Sequence, residues 1–89
     1  MNVRYSRRAL SQIASVHEYL QARNSAAADN VTAGIRSTVA RLKEMPLLGK
    51  PTDEKNIHVI IEPEYLYRVF YIVEGDEVLV IRILHRSQD

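Results

Sequence analysis

The stretch Tyr65-Leu66-Tyr67-Arg68-Val69-Phe70-Tyr71-Ile72-Val73 decides the fold of this 89-residue chain. It is rich in β-branched and aromatic residues, which is typical of a β-strand. Successive side chains of a strand point to opposite sides. A cation seldom lies in a core, so we expect helices to cover the side without Arg68 and to leave the other side uncovered. The covered side would carry Tyr65, Tyr67, Val69, Tyr71 and Val73, and the uncovered side Leu66, Arg68, Phe70 and Ile72.

Similar segments flank this stretch, one before it at Ile57–Ile61 and one after it at Val78–Leu84. The connections, Glu62–Glu64 and Glu74–Glu77, contain the proline, glycine and acidic residues that favour turns. The sequence therefore predicts a three-stranded antiparallel meander. We expect the carboxylates of both turns to be solvated.

The first half of the chain predicts a short strand at Val3–Tyr5 and two helices, Arg7–Ala22 and Ser25–Glu44. Their apolar residues recur at intervals of three and four, the period of one helix face. Ser6 and Ser25 are the expected N-caps. Because the break between the helices is short, they should form an antiparallel hairpin packed on one sheet face, which makes the fold α+β.

The connection from the hairpin to the meander contains Pro46, Gly49 and Pro51. Pro46 ends the helix, Gly49 permits a positive φ, and Pro51 fixes an extended exit. A loop of about ten residues is expected before the next strand.

The last strand is predicted from the same alternation. Its wholly apolar side, Leu79, Ile81 and Ile83, should face the helices. The other side should join Arg68 in a basic and apolar groove, and it carries Val78, Val80, Arg82, Leu84 and Arg86. Such a groove usually marks a partner site. The alternatives are self-association and pairing of the arginines with glutamates across strands.

Composition indicates a single soluble domain over residues 1–89, with 46% apolar and 26% charged residues and a net charge of +1. The absence of cysteine excludes disulfides and thiolate chemistry and fits a cytoplasmic protein. The longest apolar run, Val69–Val73, is too short to span a membrane. Because His17, His58 and His85 are dispersed along the chain, we predict no metal site, and no motif indicates a cofactor.

The sequence resembles the RelE/ParE superfamily of bacterial type II toxins over nearly its whole length. The order and spacing of several motifs carry the resemblance, although no single motif is specific. These motifs are Val3-Arg4-Tyr5-Ser6, Ile13 to Leu20, Asn24-Ser25-Ala26-Ala27, Leu42 to Pro46 with Gly49 and Pro51, Tyr67-Arg68-Val69-Phe70-Tyr71, and Val80-Ile81-Arg82-Ile83-Leu84-His85-Arg86.

Members similar to RelE cleave mRNA on the ribosome, and members similar to ParE inhibit DNA gyrase. Cleavage needs a proton acceptor, a proton donor and cations around the phosphate. This chain has no lysine between 56 and 89 and no tyrosine at its end, where the RelE-like residues would fall. The ParE-like branch is therefore favoured, with no catalytic residues. An endoribonuclease would use Arg68, Arg82, His85 and Arg86, and an inactive homologue that only binds antitoxin is a further alternative.

The resemblance also implies partners. We expect a cognate antitoxin, in a heterodimer or a larger complex, with DNA bound only through that antitoxin, and DNA gyrase as the target. Growth inhibition and plasmid stabilisation would follow. The expected antitoxin-binding residues are Leu66, Arg68, Phe70, Ile72, Val80, Arg82 and Leu84. The expected target-binding residues are Arg82, His85 and Arg86.

Overall fold

The computed structural model describes residues 1–85, which form an α+β fold with two helices on one side of a mixed sheet. The predicted fold class is confirmed. In chain order the elements are β1 (Asn2–Tyr5), α1 (Arg7–Gln21), α2 (Ser25–Ala40), a 3₁₀ turn (Arg41–Lys43), β2 (Lys50–Pro51), β3 (His58–Ile61), β4 (Tyr67–Glu74) and β5 (Glu77–His85).

The strands lie side by side in the order β1-β5-β4-β3-β2. The predicted meander is present as the antiparallel strands β3, β4 and β5. β1 pairs with β5 in parallel, which brings residues 2–5 beside residues 77–80. β2 was not predicted, because a two-residue strand that contains Pro51 has no recognisable pattern; it pairs with β3 at the edge of the sheet.

The helix boundaries follow from their caps. Ser6 caps α1 as predicted, and its hydroxyl oxygen accepts a hydrogen bond of 3.0 Å from the amide of Ala9. The prediction of Ser25 as the second cap was wrong. Asn24 has the extended backbone of a cap, and its side-chain oxygen accepts a hydrogen bond of 3.1 Å from the amide of Ala27. Ser25 is already the first residue of α2.

The core lies between the helices and the sheet. β4 contributes Val69 and Tyr71, which are both fully buried, and Tyr65, Tyr67 and Val73 pack against the same cluster. The predicted covered side of β4 is therefore confirmed. The helical half of the core consists of Ala9, Ile13, Val31, Ile35, Val39 and Leu42.

The prediction for β5 was wrong over the first half of the strand. Tyr71 pairs with Val80 whereas Phe70 pairs with Arg82, so Ile81 is an additional residue that forms a β-bulge. A bulge changes which residues of a strand share a side. Val78 and Val80 consequently point towards the helices and are fully buried, and Leu79 lies on the other side. Beyond the bulge the predicted pattern holds, because Ile83 is in the core.

Candidate partner-binding face of the sheet

The side of the sheet opposite the helices, called the open face below, carries apolar side chains interspersed with cations. Residues paired directly across strands point to the same side. The pairing places three rows of neighbours on this side: Lys50, Val59, Phe70 and Arg82; Ile61, Arg68 and Leu84; and Ile72, Leu79 and Arg4. These rows place Arg68, Phe70, Ile72, Arg82 and Leu84 on one side of the sheet, as predicted, with Leu79 in place of Val80.

Phe70 lies at the centre of the open face between two arginines. The guanidinium carbon of Arg82 is 4.2 Å from the centre of the Phe70 ring, and that of Arg68 is 5.8 Å from it. A guanidinium binds favourably over an aromatic ring, because the ring face is negative and the group is weakly hydrated. These contacts leave Phe70 only 8% exposed. Phe70 thus holds the two cations in place and offers little of its own surface to a partner.

Arg82 has one described acidic neighbour. Its Nη2 atom is 3.5 Å from Oε1 of Glu54, which is itself largely exposed. The Arg82 Nε atom is buried, and no residue within 1–85 accepts a hydrogen bond from it. A buried donor without an acceptor costs free energy.

His85 lies on the opposite side of the sheet from Arg82. It pairs across the strands with Tyr67, whose ring packs against the helical core. The two rings meet edge to face with their centres 5.0 Å apart. Two of the three expected target-binding residues, Arg82 and His85, therefore lie on opposite sides of the sheet. The third, Arg86, lies outside the described residues. The residues of the endoribonuclease alternative are also separated. Arg68 and Arg82 lie on the open face, His85 lies on the other side, and Arg86 is outside the described residues.

Leu66 belongs to the turn before β4 and has a positive φ of 67°.

In that turn the prediction of a solvated carboxylate was wrong for Glu62, which is only 2% exposed. Its two oxygens accept hydrogen bonds from the amides of Glu64, at 2.9 Å, and Tyr65, at 2.6 Å. Burial first, and then the negative charge of Glu62, raise the pKa of the Tyr67 hydroxyl above its usual value. The two hydrogen bonds that the Glu62 carboxylate accepts hold the turn in place.

Three further residues belong to the open face and were not predicted from the sequence: Lys50, Val59 and Ile61. For Val59 and Ile61 the signal was available, because antiparallel pairing with β4 places them opposite Phe70 and Arg68. Lys50 reaches the face through the unpredicted strand β2. The exposed fraction of Ile61 is 46%, so this edge offers apolar surface.

Two features are absent from residues 1–85. No group of three or more His, Cys, Asp or Glu side chains is placed to hold a metal ion. In the same residues no helix combines the length and apolar character that crossing a membrane requires.

Comparison with known proteins identifies the family. A family model described as the ParE toxin of the type II toxin–antitoxin system parDE matches residues 3–89. A solved structure of the chromosomal ParDE toxin–antitoxin system from P. aeruginosa has the same fold, with a TM-score of 0.87 and 16% sequence identity over 96% of this chain and 95% of that one. No curated protein matches the sequence. Because the family model spans almost the whole sequence, the chain belongs to the ParE toxin family of type II toxin–antitoxin systems.

Proposed function

We propose that this ParE-family toxin inhibits DNA gyrase in the cytoplasm and that a cognate antitoxin neutralises it by covering the open face. The antitoxin half of the proposal rests on the composition of the open face. Apolar side chains such as Ile72 and Leu84 lie beside Arg68 and Arg82 on a sheet side that the helices do not cover. Exposed apolar surface with a charged surround is typical of a protein-binding site.

The antitoxin segment should be disordered alone and should fold on the toxin. Such a segment combines apolar residues, which bury surface against the sheet, with acidic residues, which meet the arginines. Burial would strengthen these ion pairs by excluding water. We propose Leu66, Arg68, Ile72, Arg82 and Leu84 as contacts, with Leu79 in place of the buried Val80. Phe70, which is itself buried, would support the two arginines from beneath.

Gyrase is favoured as the target because the groups that RNA cleavage needs are not on one surface. Arg68 and Arg82 could hold a phosphate, but arginine stays protonated near neutral pH and moves protons poorly. His85, which could act as a base, packs against Tyr67 on the other side of the sheet. A missing general acid or base lowers a rate by about 10² to 10⁴. This division supports inhibition by binding. Of the expected target contacts, Arg82 on the open face is the one we propose.

The experiment is a pair of assays with the purified toxin. Supercoiling by DNA gyrase should fall as toxin is added and should recover when the cognate antitoxin is present. Primer extension on ribosome-bound mRNA should show no new cleavage. A-site cleavage with unaffected gyrase would instead establish the endoribonuclease, and no effect in either assay with antitoxin still bound would indicate an inactive homologue.

A further inference from the structure

The apolar turn, residues 45–48, lies between the helices and the edge strand β2. The amide of Leu48 donates a hydrogen bond of 3.1 Å to the carbonyl of Met45, which closes the turn. Pro46 and Leu47 occupy its two central positions. The exposed fractions of Met45, Leu47 and Leu48 are 49%, 69% and 37%. Among the described residues, Leu47 is therefore the most exposed of the large apolar side chains.

The composition of the apolar turn is unusual for a turn. Proline at the first central position has the φ that a turn needs, so Pro46 explains the reversal of the chain. Turn residues are otherwise mostly Gly, Asn, Asp and Ser, because these tolerate the backbone or bond to it. Leu47 does neither, and it leaves apolar surface in water, which is unfavourable. Three large apolar side chains exposed within four residues form a patch, which is typical of a protein-binding surface.

The apolar turn is anchored at both ends. Before it, Leu42 is fully buried, and the amide of Met45 donates a hydrogen bond of 3.1 Å to the carbonyl of Arg41. After it, the amide of Gly49 donates a hydrogen bond to the hydroxyl of Tyr71, whose ring is in the core on the helix side of the sheet. The turn is thus already ordered, and little conformational entropy would be lost when it enters a pocket.

Exposed cations flank the apolar turn. Arg41 and Lys43 precede it and Lys50 follows it. Glu44 is the one carboxylate between residues 41 and 50, so positive charge is in excess in this segment. Within residues 1–85 none of the three cations forms a salt bridge. A partner surface with carboxylates around an apolar pocket would complement the turn, whereas a second copy of this chain would bring like charges together.

We propose that the apolar turn is the element through which this toxin contacts DNA gyrase, with Leu47 inserted into an apolar pocket that has an acidic rim. This inference rests on the proposed function, because it names the part of the toxin that makes the contact. Leu47 would be the central anchor, and its apolar neighbours in the turn would exclude water around it. Lys50 continues the contact onto the open face, where it lies in the same row as Arg82.

Inhibition of gyrase supercoiling by the full-length toxin tests the anchor. The variant is Leu47→Ser, and its control is Leu10→Ser, at a 46% exposed position of α1. The toxin concentration that half-inhibits gyrase should rise at least about tenfold in Leu47→Ser, because full burial of a leucine side chain changes an affinity by about ten- to a hundredfold. It should change little in Leu10→Ser. Urea unfolding of both variants establishes that they are folded.

The charge contribution is tested by Lys50→Glu, with Lys55→Glu as the control. Both residues are exposed, and the two substitutions change the net charge equally. Lys50→Glu should weaken inhibition by about two- to fivefold at low salt, the usual effect of an exposed ion pair, and the difference should shrink as salt is added. An equal effect of the two substitutions would contradict the acidic rim.

The antitoxin distinguishes the apolar turn from the open face. By calorimetry, the cognate antitoxin should bind Leu47→Ser as tightly as it binds the wild type. A loss of antitoxin affinity with unchanged gyrase inhibition would assign Leu47 to the antitoxin site and overturn the proposal.

Three further results would overturn the proposal. Equal inhibition by the wild type and Leu47→Ser would reject the apolar turn and leave gyrase as the target. No inhibition by the wild type would reject the proposed function and this inference together. Unchanged inhibition, combined with binding to phosphatidylglycerol vesicles that Leu47→Ser abolishes, would assign the turn to a lipid surface instead.

Discussion

The hydroxyl oxygen of Tyr71 accepts a hydrogen bond of 2.9 Å from the backbone amide of Gly49. This contact ties the loop after the helices to the buried centre of β4. A β-carbon at Gly49 would lie 2.6 Å from the Val59 carbonyl oxygen and 2.8 Å from the Tyr71 hydroxyl oxygen. Glycine is required here by close packing and not by the positive φ that the sequence suggested, since among glycines in residues 1–85 only Gly75 has a positive φ.

Gly49→Ala should lower the free energy of unfolding by about 1 to 3 kcal/mol, because the added methyl group forces backbone and core apart. Urea denaturation measures the change. The control is Gly75→Asn, since the space around Gly75 is empty and asparagine tolerates its φ of +59°. Equal loss in the two variants would contradict the packing argument.

The stability of the toxin should fall as the pH rises above about 10, the usual pKa of tyrosine. Burial raises the pKa of Tyr71, so between its unfolded and folded pKa values the folded state binds more protons than the unfolded state. The stabilisation is complete below the unfolded pKa and is lost as the pH rises through the folded one. Urea midpoints measured at increasing pH should decline less steeply in Tyr71→Phe. An unchanged slope would show that Tyr71 contributes nothing to this dependence.

Glu62→Gln should destabilise the protein by about 1 to 3 kcal/mol, because a carboxamide has one acceptor oxygen and the turn supplies two amide donors to accept from. The Glu62 Oε2 atom also lies 3.1 Å from the position that a β-carbon would take at Gly34 of α2. The new side chain therefore has little room to move away from the turn. Glu64→Gln, at an exposed position in the same turn, is the matched control. Thermal unfolding of both variants gives the comparison.

Replacing Ile72 and Leu84 together by serine should weaken antitoxin binding by several kcal/mol, since each buried apolar anchor contributes about 2 kcal/mol. Both side chains are half-buried on the open face, whereas Phe70 is buried already and its removal would also unsettle the fold. Leu10→Ser, at a 46% exposed position of α1, is the control. Calorimetry with the cognate antitoxin measures the affinities. Equal affinities of the wild type and the double variant would refute the placement.

His85→Ala should not change ribosome-dependent mRNA cleavage, because we expect the wild type to show none. The reason is the position of His85 beside Tyr67, on the side of the sheet away from Arg82. Primer extension with both proteins tests this. Rapid A-site cleavage by the wild type that His85→Ala abolishes would replace the gyrase proposal with the endoribonuclease.

The sequence predicted those parts of the fold that repeat a local pattern. The periodicity of the helices and the alternation along β4 were sufficient to place Arg68 and Phe70 on the open face. The bulge at Ile81 has no such pattern, because valine, leucine and isoleucine fit either side of a strand equally well. Val80 was misplaced for this reason. Glu62 was misjudged because the donors that make its burial favourable are backbone amides, which every sequence contains.

The parallel pairing of β1 with β5 has a consequence for the order in which the toxin is made. β5 is the last described strand to be synthesised, yet it lies inside the sheet between β1 and β4. The side chain of Ser6 even donates a hydrogen bond to the carbonyl of Ile81. Until β5 has left the ribosome, β1 has no partner and the meander has an open edge. The nascent chain therefore cannot complete its sheet, and we expect the toxin to reach its active form only after synthesis of β5.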